Sequence, residues 1–511
     1  MPAHVSSTLQ TSPVYRIEGQ KSRWRYPDPR LTANNCEVLT NVNLGEFGSA
    51  DSRYGYELYN STTLPNSEPV AGLWQETFKD GTTRNVVLTL DKAYVDDGTT
   101  RTDITGSDFT GGADDRFRFA FLKNSLIMTN GVDQVRTWDG SLGSNTTDLT
   151  GMPWTKCDDI LEHKGLLIAL STTESGTKHP TRIRWSGINT KTFVADLTTW
   201  ADGNRFEVYE DGTPIIGGVD NFGQVLVFKS DGLYPGRIEY NQGYIEYAPG
   251  EPRRGFSPVA KNSFIARPEF VFGVAREGAF VVTPDMNVKI VTLDIMNEWN
   301  TLQRDRLKYA QAFVRERDHQ IRVLMSGQDN SSGHDRILVF DWETGDTWFD
   351  EPTDVMGYAQ SIEIADDERD WFGSNGGKLF TGNISSLTED NDVGFAWRVK
   401  MVANDLGLPG RTKNIVYFRT LTRKRTSQAS ISLSLARDQG RLSPRLRTIT
   451  MSTNIWDTAN NWSSTSGWNS GGIEEDRFYV NRHAESIAPE WESNTPATLV
   501  GYQVEYELVE P

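Results

Sequence analysis

Apolar residues in this chain come in short runs closed by turn residues. The unit is clearest over residues 181–234, TRIRWSGINTKTFVADLTTWADGNRFEVYEDGTPIIGGVDNFGQVLVFKSDGLY. An apolar strand ends in Trp185, a polar excursion passes Trp200, an apolar run covers 214–219, and a tight Asn-Phe-Gly turn leads into the strand 225–228. No part of it has helical periodicity, so it predicts a small antiparallel sheet.

The unit recurs. From about Pro69, an aliphatic strand, a Gly/Asp/Asn turn and a second strand repeat at 85–90 with 93–94, 125–128 with 135–138, 165–170 with 182–185 and 224–228 with 233–234. Further copies fall at 279–282 with 289–291, 336–340 with 346–348 and 370–373 with 378–380. The spacing is roughly 40 to 60 residues, the length of a four-stranded propeller blade. A lone small sheet cannot bury both faces, whereas sheets packed around a ring cover one another. The expected fold class is therefore all-β, a β-propeller of about seven blades over residues 67–390.

Within the sixth copy, DWETGDTW at 341–348 predicts a blade hairpin with Glu343 as its acidic turn residue, Gly345 at positive φ and Trp348 packed beneath. This turn resembles those of kelch-type blades and, loosely, the aspartate box of sialidases, which is a structural feature. From about residue 391 the pattern changes. Trp397, Val399 and Met401 alternate with polar neighbours, residues 415–418 do so too, and Ala429, Ile431, Leu433 and Leu435 form a strict period-two strand, followed near the end by LVGYQVEYEL at 499–508. Residues 391–511 are expected to be a β-sandwich platform for docking, and 1–66 an extended arm that pairs with it.

Composition narrows the function. With 45 Gly, 15 Trp and 17 Tyr, the chain suits many short strands and tight turns. A formal charge of −17 opposes tight binding to nucleic acid, which needs clustered Lys and Arg; it suits solubility, or a surface that lets DNA pass without sticking. Cys36 and Cys157 have neither disulfide-framework nor metal spacing, and the six histidines are not paired at ligand distance, so no cofactor or metal is expected. The first residues lack a signal-peptide pattern, and synthesis in the cytosol is expected.

Paired acids at 114–115, 158–159 and 366–367 raise the alternative of a propeller glycosidase or sialidase-like tail enzyme. Each pair lies in a polar stretch where solvation is the ordinary state. No nucleophile elbow or phosphate-cradling glycine loop is present, so no catalytic residue is assigned. A carbohydrate-binding propeller is a further alternative. One basic region stands out, 411–447, and Arg411, Lys413, Arg423, Lys424 and Arg425 are candidate docking residues on an exposed sandwich face. Trp456, Trp462 and Trp468, in a Ser/Asn/Thr-rich stretch, are candidates for the same interface; a solvated face and tryptophans folded onto the sandwich are the plainer readings.

The order of several motifs carries a resemblance. SRYGYELY (52–59), RTWDG (136–140), RIRWSGINTKTFV (182–194), GTPIIGGVDNFGQVLVFKSDGLY (212–234), EFVFGVAREGAFVV (269–282), RILVFDWETGDTWFDEP (336–352) and DWFGSNGGKLFTGN (370–383) together resemble the tail nozzle, or packaged-DNA stabilisation, proteins of short-tailed bacteriophages. The resemblance implies a structural virion protein made in the host cytoplasm and placed in the short tail. It implies a ring of identical subunits, by analogy a hexamer, docked on the adaptor ring below the portal. Tail fibres or tailspikes would be further partners, and DNA would pass through the channel without specific binding.

Overall fold

The computed structural model describes residues 9–20, 34–45, 48–189, 194–208, 212–241, 244–330, 332–424, 429–437, 441–442, 447–451 and 474–509. Seven antiparallel sheets follow one another along the chain, each beginning at the centre of a ring. Blade 1 is Val70–Thr77, Thr83–Thr89, Ala93–Asp96 and Arg101–Asp103; blade 2 is Arg118–Leu122, Ser125–Thr129, Arg136–Trp138 and Thr147–Asp148. Blade 3 is Lys156–His163, Leu166–Glu174, Thr177–Trp185 and Arg205–Glu207. Blade 4 opens with Ile215–Asn221, blade 5 with Phe264–Arg267, blade 6 with Gln311–Arg315 and blade 7 with Met356–Ile364.

The second strands explain why the repeats read as unbroken apolar runs. Val86 and Leu88 of blade 1 pack against Leu126 and Met128 of blade 2, whereas Val87, between them, faces Tyr358 and Trp371 of blade 7. Ile127 turns the other way, onto Ile160 and Leu167 of blade 3. The pattern continues with Ile168 against Val225 and Val227, Leu226 against Val271, Phe272 against Ile321 and Val323, and Leu324 against the blade 7 residue Phe372. Strand alternation thus sends successive side chains into two different interblade cores, so both faces must be apolar. Seven such cores close the ring.

Tight turns set the register. The inner hairpins of blades 2, 3, 4 and 7 turn on two residues that both have positive φ, as at Lys123–Asn124 (54° and 60°) and Phe222–Gly223 (53° and 68°). This is the type I′ geometry that matches strand twist. In the 341–348 turn, Gly345 has φ 78° and Trp348 is fully buried, but the acid that locks the turn is Asp341, whose Oδ1 accepts from the amides of Glu343 (2.9 Å) and Thr344 (3.0 Å). Glu343 is exposed and pairs with His319 at 3.0 Å.

Residues beyond the propeller form two facing sheets. One is ordered Val42–Gly45, Ser49–Ser52, Ala497–Leu508, Lys413–Lys424 and Glu474–Ala484, with Gln10–Thr11 also on Ala497–Leu508. The other joins Trp397–Met401, Ile487–Ser493 and Ala429–Arg437, and it continues through Cys36–Thr40 into Thr347–Asp350, the outer strand of blade 6. Trp491 of the second sheet lies 6.2 Å from Phe418 and 5.6 Å from Tyr502 of the first, which places the sandwich core. Sandwich and blades 6 and 7 share one apolar cluster.

The N-terminal segment serves both bodies. After pairing with the sandwich it supplies Tyr56–Leu58 as the fourth strand of blade 7, antiparallel to Leu379–Gly382. Arg53 is anchored on Asp390, donating from Nη1 at 2.7 Å and Nη2 at 2.6 Å, and both side chains are buried. Gly55 passes so close to the Glu389 carbonyl that an added Cβ would overlap it. Arg53→Ala leaves Asp390 buried without its counter-charge, and we expect a loss of about 3–5 kcal/mol in urea unfolding; a loss below about 1 kcal/mol would show that closure is held elsewhere.

Candidate functional site

Two regions gather candidate side chains, the hub of the propeller and the exposed face of the sandwich. The inner strands of the blades surround a cavity of about 560 Å³, lined among others by Trp74, Arg118, Phe119, Asn262, Gln311 and Tyr358. Its carboxylates are tied into the scaffold. Asp159 is fully buried and accepts from Arg118 Nε (2.6 Å), the Ile160 amide (2.8 Å) and the Gly218 amide (2.9 Å). Asp220 pairs with His163 at 2.8 Å, and Glu162 accepts from the Gly165 amide. Asn262 Oδ1 and Gln311 Oε1 are buried acceptors with no donor.

Asp158–Asp159 therefore does not behave as the solvated pair its sequence suggests. It lies in the inner strand of blade 3, with Asp159 turned inward onto Arg118 and Asp158 outward onto Lys178. Asp114 meets Lys308 at 2.9 Å, while Asp367 meets Arg317 at 2.9 Å and Arg369 at 3.2 Å. These acids lie in different blades and serve different contacts.

At one mouth of the hub, the Phe117 carbonyl accepts from Asn262 Nδ2 at 3.4 Å and Tyr358 Oη at 3.5 Å. Close by, His334 is buried with Nε2 3.1 Å from the Tyr309 carbonyl. Burial, reinforced by the charges of Arg116 and Arg306, pushes its pKa down from the usual 6.5 to about 3.

The chain matches no family model and no curated protein. Among solved structures it is similar to BamB from Moraxella catarrhalis, at 10% identity and a TM-score of 0.37, over 64% of this chain and 100% of that one. The propeller assignment stands on the sheet order and ring closure described above. Among the described residues no helix is long and apolar enough to cross a membrane, and no group of three His, Cys, Asp or Glu is placed to hold a metal ion.

The second region is the sandwich strand Lys413–Lys424 and its neighbours. Arg411 and Arg423 are exposed as expected, at opposite ends of this strand. Lys413 is not on the surface. It is 1% exposed, and its ammonium donates to the carbonyls of Leu408 (2.7 Å), Arg411 (2.8 Å) and Glu485 (2.8 Å), so it ties a loop to a strand instead of offering charge to a partner. Lys424 closes the strand, while Arg425, Trp456, Trp462 and Trp468 lie outside the described residues. Residue 422 pairs with 474 and residue 429 with 451.

Much of the basic character of this face is cancelled locally. Arg419 Nη2 and Arg477 Nη2 both donate to the buried Glu505, at 2.5 and 2.6 Å, and Arg419 also pairs with Glu475 at 3.0 Å. Hydrogen bonds from Arg477 and then Arg419 hold the Glu505 carboxyl below its ordinary range, against the upward push of burial. Above them Arg477 lies 3.9 Å over the Tyr417 ring, and Tyr479, 62% exposed, meets the same ring edge-on at 5.6 Å. This Tyr/Arg cluster escapes a reading of charge runs because its members come from separate strands. The alternation of Glu475, Arg477 and Tyr479 is its one local signal.

Two measurements follow. Lys413→Met leaves three carbonyls without their donor, and we expect a loss of about 2–4 kcal/mol in chemical unfolding with the surface charge pattern unchanged. For His334, both states are neutral above about pH 6.5, but below it the unfolded chain takes a proton that the folded chain refuses. Stability should therefore fall as pH drops from about 6.5 toward 3, by up to about 1.4 kcal/mol per pH unit, and His334→Gln should remove that part of the slope. Parallel curves for wild type and variant would disprove the assignment.

Proposed function

We propose that this protein is a structural subunit of the tail nozzle of a short-tailed bacteriophage, a ring that holds packaged DNA and then lets it leave. The reading rests on the ordered motifs at 52–59, 136–140, 182–194, 212–234, 269–282, 336–352 and 370–383. The observation that carries it furthest is the sheet that runs unbroken from blade 6 into the sandwich, backed by a shared apolar core. Domains joined by small polar contacts move relative to each other, whereas a shared sheet and core make one stiff piece. A ring wall that guides DNA under load benefits from that stiffness.

The sandwich is the docking end in this reading, with Arg411, Arg423 and the Tyr417/Arg477/Tyr479 cluster facing the adaptor ring or the next subunit. Tyrosine and arginine are the side chains that most often anchor interfaces. A head-to-tail ring, by analogy of six copies, needs two unlike patches per subunit, and the stretch with Trp456, Trp462 and Trp468 is the sequence candidate for the second. The net charge of −17 suits a channel that does not trap DNA by counterion release. Hydrolysis of a glycan is disfavoured, since Asp159, Asp220 and Glu162 each already accept a hydrogen bond or ion pair from the scaffold.

Electron microscopy of the purified protein, alone and mixed with isolated tails, tests the reading. Rings, or particles added to the tail tip, are expected. Arg423→Glu should weaken tail attachment by about tenfold, most strongly at low salt. A monomer that never joins tails, or glycan hydrolysis lost in Asp159→Asn, would end the proposal.

A further inference from the structure

We infer that the hub cavity binds a small neutral polyhydroxylated ligand, of the size of a monosaccharide, with Asn262 and Gln311 as its principal hydrogen-bond acceptors. At about 560 Å³ the cavity lies within the roughly 300–1,000 Å³ usual for small-molecule sites. Asn262, just ahead of the inner strand of blade 5, and Gln311, which opens that of blade 6, both line it and are 5% and 8% exposed. In each the amide nitrogen donates to a backbone carbonyl, that of Phe117 for Asn262 and that of Ala359 for Gln311, both at 3.4 Å. Turning either amide over would set oxygen against oxygen, so Oδ1 and Oε1 are held as acceptors. Both are buried without a donor among the described residues, and Gln360 Oε1 on blade 7 is a third. A buried acceptor left so costs about 1–3 kcal/mol, which a bound hydroxyl offsets.

The rest of the wall narrows the ligand class. Trp74 and Phe119, from neighbouring blades, stack with ring centres 5.3 Å apart and planes 29° from parallel, and both are half-buried. Phe264 and Tyr358 add rings further round the cavity. Poorly ordered water is displaced by apolar groups with a gain in affinity, whereas a wholly apolar ligand would leave the amide oxygens stranded. Of the three charged residues on the wall, Arg118 meets Asp159 at 2.6 Å, Asp220 meets His163 at 2.8 Å, and Glu162 accepts from the Gly165 amide. Hydrogen-bond acceptance is therefore what the wall chiefly offers, and carboxylate and amide oxygens alike accept from hydroxyls. A sugar carries several hydroxyls together with C–H faces that pack on rings. Cleavage is not expected with binding, because Asp159, Asp220 and Glu162 are held by the scaffold. Such a site serves a single chain as well as a ring.

The test uses the full chain, with calorimetry and thermal unfolding in millimolar glucose, galactose, mannose and rhamnose, their methyl glycosides, and choline chloride. Saturable heat and a rise in Tm are expected with at least one sugar. A methyl glycoside that binds as well as its parent assigns the end of a glycan chain, and a weaker one assigns the free sugar. Gln311→Met should weaken that binding by about tenfold or more, and should leave stability in sugar-free buffer close to that of wild type, because it removes one long hydrogen bond together with an unpartnered oxygen. Should that variant not fold, Trp74→Ala, at a half-buried position, should still weaken binding several-fold. Sugars that raise Tm only at molar concentration without saturating, as excluded solutes do, would overturn the inference. So would choline binding where no sugar does, or undiminished sugar binding in Gln311→Met.

Discussion

Closure of the ring is the constraint on which the rest of this molecule depends. Each interblade core is covered only because the next blade is present, so an open ring would expose the outer faces of blades 1 and 7 together. The chain solves this by taking the fourth strand of blade 7, Tyr56–Leu58, from ahead of blade 1. The two ends are then pinned where Arg53 meets Asp390 across 337 residues of sequence. Apolar cores supply the driving force around the ring, and this ion pair fixes where the ring shuts.

The same region carries a larger buried charge network. Arg315 donates to Asp370 at 3.1 and 2.5 Å, and Arg322 lies 3.4 Å from Asp350 and 3.5 Å from Asp370. Burial raises the Asp350 pKa even though Arg322, Arg53 and Arg315 all pull it down. Such groups contribute little net stability compared with apolar residues of equal volume, but removing one member strands the others. Their placement between blades 6 and 7, beside the strand that leads into the sandwich, makes the junction selective for a single arrangement.

The hub and the sandwich face use charge in opposite ways. In the hub, Arg118 and Asp159 satisfy each other, whereas Arg116 Nε and Nη1 are buried without an acceptor. On the sandwich, Glu505 takes up Arg419 and Arg477, leaving Tyr479, Arg411 and Arg423 exposed. Counting basic residues along the chain overstates the charge of the second surface.

What the sequence determined by itself is the architecture of the repeat. A strand covered on both sides must be apolar at every position, and a two-residue hairpin needs residues that tolerate positive φ; both are local demands, so the copies near 85, 125, 165, 224, 279, 336 and 370 each fall in a separate blade. The period-two strands after residue 391 were legible for the same reason. Tertiary structure alone decided which charges are free. The basic run points to a surface Lys413, but its burial depends on carbonyls as distant as Glu485; the polar stretch points to a solvated Asp159, but its partner Arg118 lies 41 residues away; and the turn pattern points to Glu343 although Asp341 locks it. A side chain's charge is written in the sequence, but its solvation and its partner are set by segments that meet only when the ring has closed.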